Sequence, residues 1–305
     1  MEFPNQFTHK KMVGIIPLDG YRNNWNLPYA PFFSQIGEGL TLVDNAILQC
    51  AFAGCRQIFI LCKEQDVKLL KKTFGEWVED PNWWWRETTK TPESFRVQIP
   101  IYYIRMSEKD KRQRGSAAWA IISAAKTANR LASFASKWTA ATRFFVTFPW
   151  TGVPFWDFKE HRGVTGRNKK FFFSYEGKSA WEGEYLPFSF VQEDLRKMKA
   201  NFMKKNTLNF KAVDDYDPNT SSWFERLPLE QQRSGRFFTI EQLLEPINKN
   251  KYAELQMKRY YNVFTWQGLR QAITNLSDLR KPKSRYLKTG KESRILQRIG
   301  VNESE

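Results

Sequence analysis

Residues 13–62 read VGIIPLDGYRNNWNLPYAPFFSQIGEGLTLVDNAILQCAFAGCRQIFILC, and the fold is decided by how this stretch is parsed. Its opening apolar run, Val13 to Leu18, stops at Asp19-Gly20 and gives way to a polar loop carrying Arg22, Asn23, Asn24 and Asn26. Leu42, Val43, Ala46, Ile47, Cys50 and Ala51 then recur at a spacing that gathers them on one face of a helix. Gly54 follows, where a helix end favours a residue that tolerates positive φ. Gln57 to Cys62 is a short apolar run, β-branched or aromatic at several positions, and predicts a buried strand. Strand, polar loop, helix and strand make a βαβ crossover, which requires the two strands to be parallel. Such sheets bind ligands beyond the C-terminal ends of their strands, so the loop from Asp19 to Asn26 is the expected site.

The whole chain has 305 residues, 41% of them hydrophobic, enough for one large core or two modest ones. No run approaches the roughly 20 apolar residues of a membrane span. The start, MEFPNQFTHKK, has no apolar signal core, so the expected location is the cytoplasm. Cys50, Cys55 and Cys62 sit on the first helix and strand and are expected to be small buried thiols rather than metal or redox groups. His9 and His161 are too few and too far apart for a histidine-based metal centre. The formal charge of +16 favours anionic partners such as nucleotides, sugar phosphates or nucleic acid; a solvated lysine-rich surface accounts for it equally well. Trp83-Trp84-Trp85 cannot all point inward from one element, so either a loop wraps them or they form a contact surface.

Downstream, Glu64 to Lys72 reads as a charged helix with Val67, Leu69 and Leu70 as its apolar positions. Gly75 to Lys90 reads as an irregular aromatic insertion, and Val97 to Met106 as a strand with Pro100 near its start or at an edge. After the basic loop Ser107 to Gly115, the alanine-rich run from Ser116 to Ala125 predicts a helix. A Gly-Ser pair opening a helix after a strand presents N–H groups to an anion or a base edge. Arg143 to Phe148, Phe171 to Tyr175 and Leu186 to Phe190 read as strands, with a hairpin turn at Glu176-Gly177-Lys178. Gly163 to Lys170 reads as a solvated turn or a phosphate-binding loop. Glu193 to Lys205 is a basic amphipathic helix, and another helix begins after Thr239. Asp214, Asp215 and Asp217 lie in a polar, proline-punctuated stretch that reads as a loop. The run from Arg280 to Arg298 is a basic tail, able to meet nucleic acid phosphates or simply to solubilise the chain.

The first unit resembles the N-terminal part of sugar-phosphate nucleotidyltransferases. The residues that carry this are Pro17-Leu18-Asp19-Gly20-Tyr21-Arg22, Leu27-Pro28-Tyr29-Ala30-Pro31 and Ala53-Gly54-Cys55. Gly115-Ser116-Ala117-Ala118 matches the family's base-contacting GTAxA segment, and Asn262-Val263-Phe264-Thr265 matches a late segment that begins with a metal aspartate. The resemblance implies an α/β protein with a three-layer, Rossmann-like GT-A nucleotidyltransferase fold and a mainly parallel mixed sheet. It spans residues 12–278, leaving an arm over 1–11 and a basic tail over 279–305. Its tryptophan-rich, basic character also resembles chains of tailed bacteriophages, which would place it in a host cytoplasm.

Carried onto this sequence, the resemblance implies a nucleoside triphosphate and a sugar 1-phosphate as partners, magnesium as cofactor, and pyrophosphate as leaving group. Arg22 would meet the triphosphate, and Leu18, Asp19 and Gly20 would form the nucleotide loop. Gly115 and Ser116 would hold the base. Tyr29 stands where the family has its catalytic lysine, with Lys159 or Lys170 as a substitute. Pro149-Trp150 stands where the strand-end carboxylate belongs, so Asp157 and Asn262 become the metal candidates. A second reading keeps the fold without the chemistry, as an inactive protein that binds nucleotide or nucleic acid. A third, a GT-A glycosyltransferase, would need Asp215-Tyr216-Asp217 as its metal motif.

Overall fold

The structure is a computed structural model that describes residues 12–21, 25, 27–80, 98–107, 110, 114–135, 143–167, 170–206, 210–212, 224–226 and 238–281. The N-terminal arm, Arg22, Trp83-Trp84-Trp85, the aspartates at 214, 215 and 217, and the tail beyond Lys281 lie outside these residues.

β1 (Met12–Pro17) is followed by a small hairpin, β2 (Gln35–Gly37) and β3 (Leu40–Thr41), then α1 (Leu42–Ala53) and β4 (Gln57–Cys62). α2 (Glu64–Phe74), β5 (Trp77–Glu79), β6 (Gln98–Arg105), α3 (Ala117–Ala135) and β7 (Arg143–Val146) come next. The second half runs β8 (Thr151–Gly152), α4 (Asp157–Glu160), α5 (Arg162–Arg167), β9 (Phe171–Ser174), β10 (Phe188–Phe190) and α6 (Gln192–Asn206). It closes with β11 (Phe210–Ala212), β12 (Phe224–Arg226), α7 (Ile240–Leu244), β13 (Ala253–Gln256), β14 (Tyr261–Asn262) and α8 (Trp266–Asn275).

Eight strands form the central sheet in the order β13-β9-β10-β7-β1-β4-β6-β5. β1 pairs in parallel with β4 and β7, β4 with β6, and β13 with β9. The other three pairings are antiparallel, so this is the expected α/β architecture with a mainly parallel mixed sheet. From β1 the chain steps one way to β4 and β6, then returns by α3 to β7 on the other side of β1. With right-handed crossovers, that reversal puts α1 and α3 on opposite faces. α1 accordingly packs with α4 and α5, and α3 with α6 and α7. The strand order reverses beside β1, and the crevice beyond its C-terminal end is where this architecture makes room for a ligand.

α1 is buried along its whole length. Thr41 and Asp44 form a capping box at its start, and Gly54, at φ 95°, closes its end. Asn45 and Gln49 on α1 reach the turn after β7. Gln49 Nε2 donates to the carbonyl oxygens of Thr151 (3.2 Å) and Val153 (2.8 Å), and its Oε1 accepts from Thr147 Oγ1 (2.5 Å). Asn45 Nδ2 donates to Val153 O (3.0 Å). The three cysteines are free and buried, as their positions predict.

Several elements differ from the sequence reading. On α2 only Leu70 is buried; Leu69 is 52% exposed, because neighbouring helical positions point about 100° apart and one face alone meets the sheet. Trp77–Glu79 adds a strand to the sheet within a stretch expected to be irregular. Arg162–Arg167 is a short helix rather than a turn or phosphate loop. Thr165 fixes that helix by donating to Ala53 O (3.1 Å). The expected turn at Glu176-Gly177 is present, with both residues at positive φ and Tyr175 bridging Lys178. No helix among the described residues is long and apolar enough to cross a membrane.

Candidate functional site

Leu18 directly follows β1, buried, with its amide donating to Leu61 O (2.8 Å). The chain then turns: Asp19 Oδ1 accepts from the Gly20 amide (2.8 Å), and Gly20 adopts φ 90°. Gly20 lies directly on the start of α3, where a Cβ would stand 2.2 Å from the Ser116 carbonyl carbon and 2.3 Å from the Ala117 nitrogen. The Ser116 hydroxyl accepts from the Trp119 amide (3.3 Å) and so caps α3. The two segments singled out for nucleotide binding therefore meet. Gly20 makes its close backbone approach to Ser116 and Ala117.

Together they form one wall of a cavity of about 340 Å³ at the C-terminal end of β1. Tyr21, Tyr185 and Phe264 contribute aromatic surface, while Gly183 and the start of α7, Thr239 to Glu241, face them. Gly183 has φ 86°, and a Cβ there would stand 2.1 Å from Glu241 Oε1, so the carboxylate lies against the glycine.

Behind the cavity the aromatic rings form one cluster. Tyr21 packs edge-on to Trp150 (centroids 5.5 Å) and Tyr185 (5.8 Å); Phe264 packs against Trp150 (5.3 Å) and Tyr185 (5.2 Å). Trp25 joins them at 5.9 Å from Trp150 and donates from Nε1 to Phe264 O (3.0 Å). Edge-to-face pairs of this kind contribute roughly 0.5–1.5 kcal/mol each beyond area burial. Burial raises the Tyr21 hydroxyl well above the usual tyrosine range and pushes Tyr185 up to about 12. Tyr21 Oη and Trp150 Nε1 are buried without a hydrogen-bond partner among the described residues.

The positions assigned to metal and lysine chemistry are occupied differently. Trp150, 1% exposed, fills the strand-end position inside the aromatic cluster. Asp157 is held by Arg259, with Nε 3.2 Å and Nη2 3.4 Å from its two carboxylate oxygens. Asn262 Nδ2 donates to Glu184 Oε2 (3.1 Å), and its Oδ1 accepts from the Phe264 amide (3.2 Å). A hard divalent cation requires several oxygen ligands. No group of three or more His, Cys, Asp or Glu side chains suited to a metal occurs among the described residues. These residues do not fit the magnesium ion that the resemblance implies. Tyr29 is 51% exposed and lines no part of the cavity. Lys170 is committed to buried Asp194 (2.9 Å), and Lys159 is exposed on α4. Gly115 precedes the α3 cap without lining the cavity.

Two carboxylates escape the sequence reading. Glu184 accepts from Tyr260 Oη (3.1 Å) and from Asn262, and the same Tyr260 hydroxyl accepts from the Tyr185 amide (3.1 Å). Burial next to Glu184 drives the Tyr260 hydroxyl upward. Glu241 sits in the first turn of a five-residue helix. Neither shows a signal in sequence beyond its charge: Glu184 is brought to the site by a loop, and Glu241 by a helix of only five residues.

No family model matches the chain, and no curated protein matches it by sequence. Solved structures do match. A protein from Bacillus anthracis described as a glucose-1-phosphate thymidylyltransferase, solved with a sucrose, is 10% identical; the match covers 89% of this chain and 98% of that one, with a TM-score of 0.52. A UDP-glucose pyrophosphorylase solved with UDP-glucose is 12% identical over 87% and 98% of the two chains, at a TM-score of 0.48. The 4-diphosphocytidyl-2C-methyl-D-erythritol synthase of Anaerococcus prevotii is 11% identical over 88% and 96%, at 0.47. At such identities the likeness concerns the fold alone, and the first of these structures shares the three-layer α/β architecture of this chain.

Proposed function

We propose that this protein binds a nucleotide or nucleotide sugar in the cavity at the C-terminal end of β1, without the metal-centred nucleotidyl transfer that its fold carries elsewhere. The observation that carries this reading is the meeting of Gly20 with Ser116 on one wall of that cavity, while Trp150 and Asn262 stand where metal carboxylates are expected. Nucleotidyl transfer consists mainly of positioning and of neutralising phosphate charge. Positioning is supported by the Gly20 turn, the α3 start and the aromatic wall. Neutralisation lacks its usual lysine and carboxylate-held metal among the described residues. Glu241, which lines the cavity, accepts hydrogen bonds from ligand hydroxyl or amino groups.

The second reading is transfer of a nucleotidyl group from a nucleoside triphosphate to a sugar 1-phosphate, with Arg22 facing the triphosphate. It is favoured by the same Gly20–Ser116 meeting. A thermal-shift titration with nucleoside triphosphates and nucleotide sugars, each with and without magnesium, separates the two. A ligand that binds only the folded state raises the melting temperature by mass action. The binding reading expects a magnesium-independent rise that Glu241→Ala diminishes. Pyrophosphate release on adding a sugar 1-phosphate would instead establish transfer. No shift with any of these ligands would sink both readings.

A further inference from the structure

Cys50 and Cys55 are the two ends of the left-handed cap that closes α1. The Cys55 amide donates to the Cys50 carbonyl oxygen (3.0 Å), and Gly54 supplies the positive φ between them. This cap brings its first and last side chains against each other. Both sulfurs lie over Gly14 in β1: a Cβ there would stand 2.7 Å from Cys50 Sγ and 3.3 Å from Cys55 Sγ. Both thiols are free, and each is at most 1% exposed. Burial lowers the pKa of the Arg143 guanidinium at the start of β7, and nearby Cys55 offsets part of that effect. Burial, with the adjacent Cys55, raises the Cys50 thiol well above the usual cysteine range, and burial likewise pushes Cys62, at the far end of β4, up to about 12.

We propose that Cys50 and Cys55 are a redox modification site that closes to an intramolecular disulfide under a peroxide oxidant. One sulfur, as thiolate, attacks a peroxide oxygen; the O–O bond breaks, water leaves after taking up a proton, and a sulfenic acid remains. The second sulfur displaces that hydroxyl group as water and forms the S–S bond. Two thiols and one hydrogen peroxide thus give one disulfide and two waters, with sulfur oxidised and peroxide oxygen reduced. Burial restricts the oxidant to a molecule as small as hydrogen peroxide. The site does not rest on any assignment of the cavity's ligand.

The test exposes the full-length protein to hydrogen peroxide, removes the excess with catalase, unfolds the chain, and alkylates the remaining thiols before peptide mass mapping. Alkylatable cysteines should fall from three to one, with Cys62 the survivor. The peptide carrying Cys50 and Cys55 should be lighter by two hydrogens, and dithiothreitol should restore all three thiols. Cys62→Ser should respond like the parent, whereas Cys55→Ser should form no linked peptide. Should Cys55→Ser fail to fold, the mass map of the unsubstituted protein decides alone. Three alkylatable thiols after millimolar peroxide, a link that involves Cys62, or sulfinic acid on Cys50 or Cys55 in place of the link would each overturn the proposal.

Discussion

Replacing Gly20 with alanine tests the junction on which the candidate site is built. Two penalties act together. The backbone at φ 90° is a conformation that L-residues avoid, at about 1–2 kcal/mol. The new methyl would also stand 2.2 Å from the Ser116 carbonyl carbon, in contact with backbone that cannot rotate aside as a side chain would. Relieving that contact requires the loop and the start of α3 to separate, and overpacking of this kind costs about 1–3 kcal/mol. The total of about 2–5 kcal/mol corresponds to a fall in melting temperature of roughly 4–10 °C for a chain of this size. Gly39→Ala is the control. Its φ of 61° carries a similar backbone penalty, but nothing lies within 4 Å of the added methyl. Differential scanning calorimetry of the two variants should show the larger loss for Gly20→Ala by at least about 1 kcal/mol. Equal losses would refute the close approach of Gly20 to Ser116, and with it the geometry of the cavity wall.

Other consequences are open to measurement. Gln49→Leu strips the partner from buried Thr147 Oγ1 and should destabilise the protein by about 1–3 kcal/mol, read as a lower urea midpoint at unchanged m. Trp150→Ala empties the centre of the aromatic cluster and should cost about 3–5 kcal/mol; a loss under about 1 kcal/mol would mean the cluster is not packed as described. Burial beside Phe173 lowers the pKa of His161, so the unfolded chain binds its proton more readily than the folded one. Stability should accordingly be full above the unfolded value near 6.5 and decline as pH falls below it, and His161→Asn should flatten that part of the melting-temperature profile. Glu241→Ala should leave the melting temperature of the free protein within a degree or so while weakening any ligand-induced rise.

The β1-α1-β4 unit was legible because three independent local signals agree there: apolar periodicity, a glycine at the helix end, and a β-branched run. The helix start after Thr239 was legible for the same local reason, and the Thr239 side chain accepts from the Gln242 amide. What escaped depends on distant partners. Trp77–Glu79 is too short to show alternation, and becomes a strand only by pairing with β6. Residues 162–167 contain two glycines, which disfavour a helix, yet Thr165 and Arg143 hold them in one. At the site, Gly20 and Ser116 were found through motif resemblance. The aromatic cluster was not, since Tyr21, Trp150, Tyr185 and Phe264 come from four separate segments and composition cannot pair them. Charge was visible in Asp157 and Glu184, but not that one would be spent on Arg259 and the other on Asn262.

The pairing of Glu38 with Arg280 bears on the order in which the chain becomes a protein. The Glu38 amide donates to Leu279 O, the Lys281 amide donates back to Glu38 O, and Lys281 Nζ reaches Asp44 (2.7 Å) at the start of α1. Trp25, near the beginning, is likewise tied to Phe264, 239 residues later. A ribosome that has delivered the β1-α1-β4 unit has therefore delivered a unit whose outer hairpin and first helical turn still await the far end of the sequence. Contacts of such long sequence separation form late. The nascent chain must hold its first crossover in an incomplete state until nearly the last described residue has emerged, and truncation before residue 276 should leave it there.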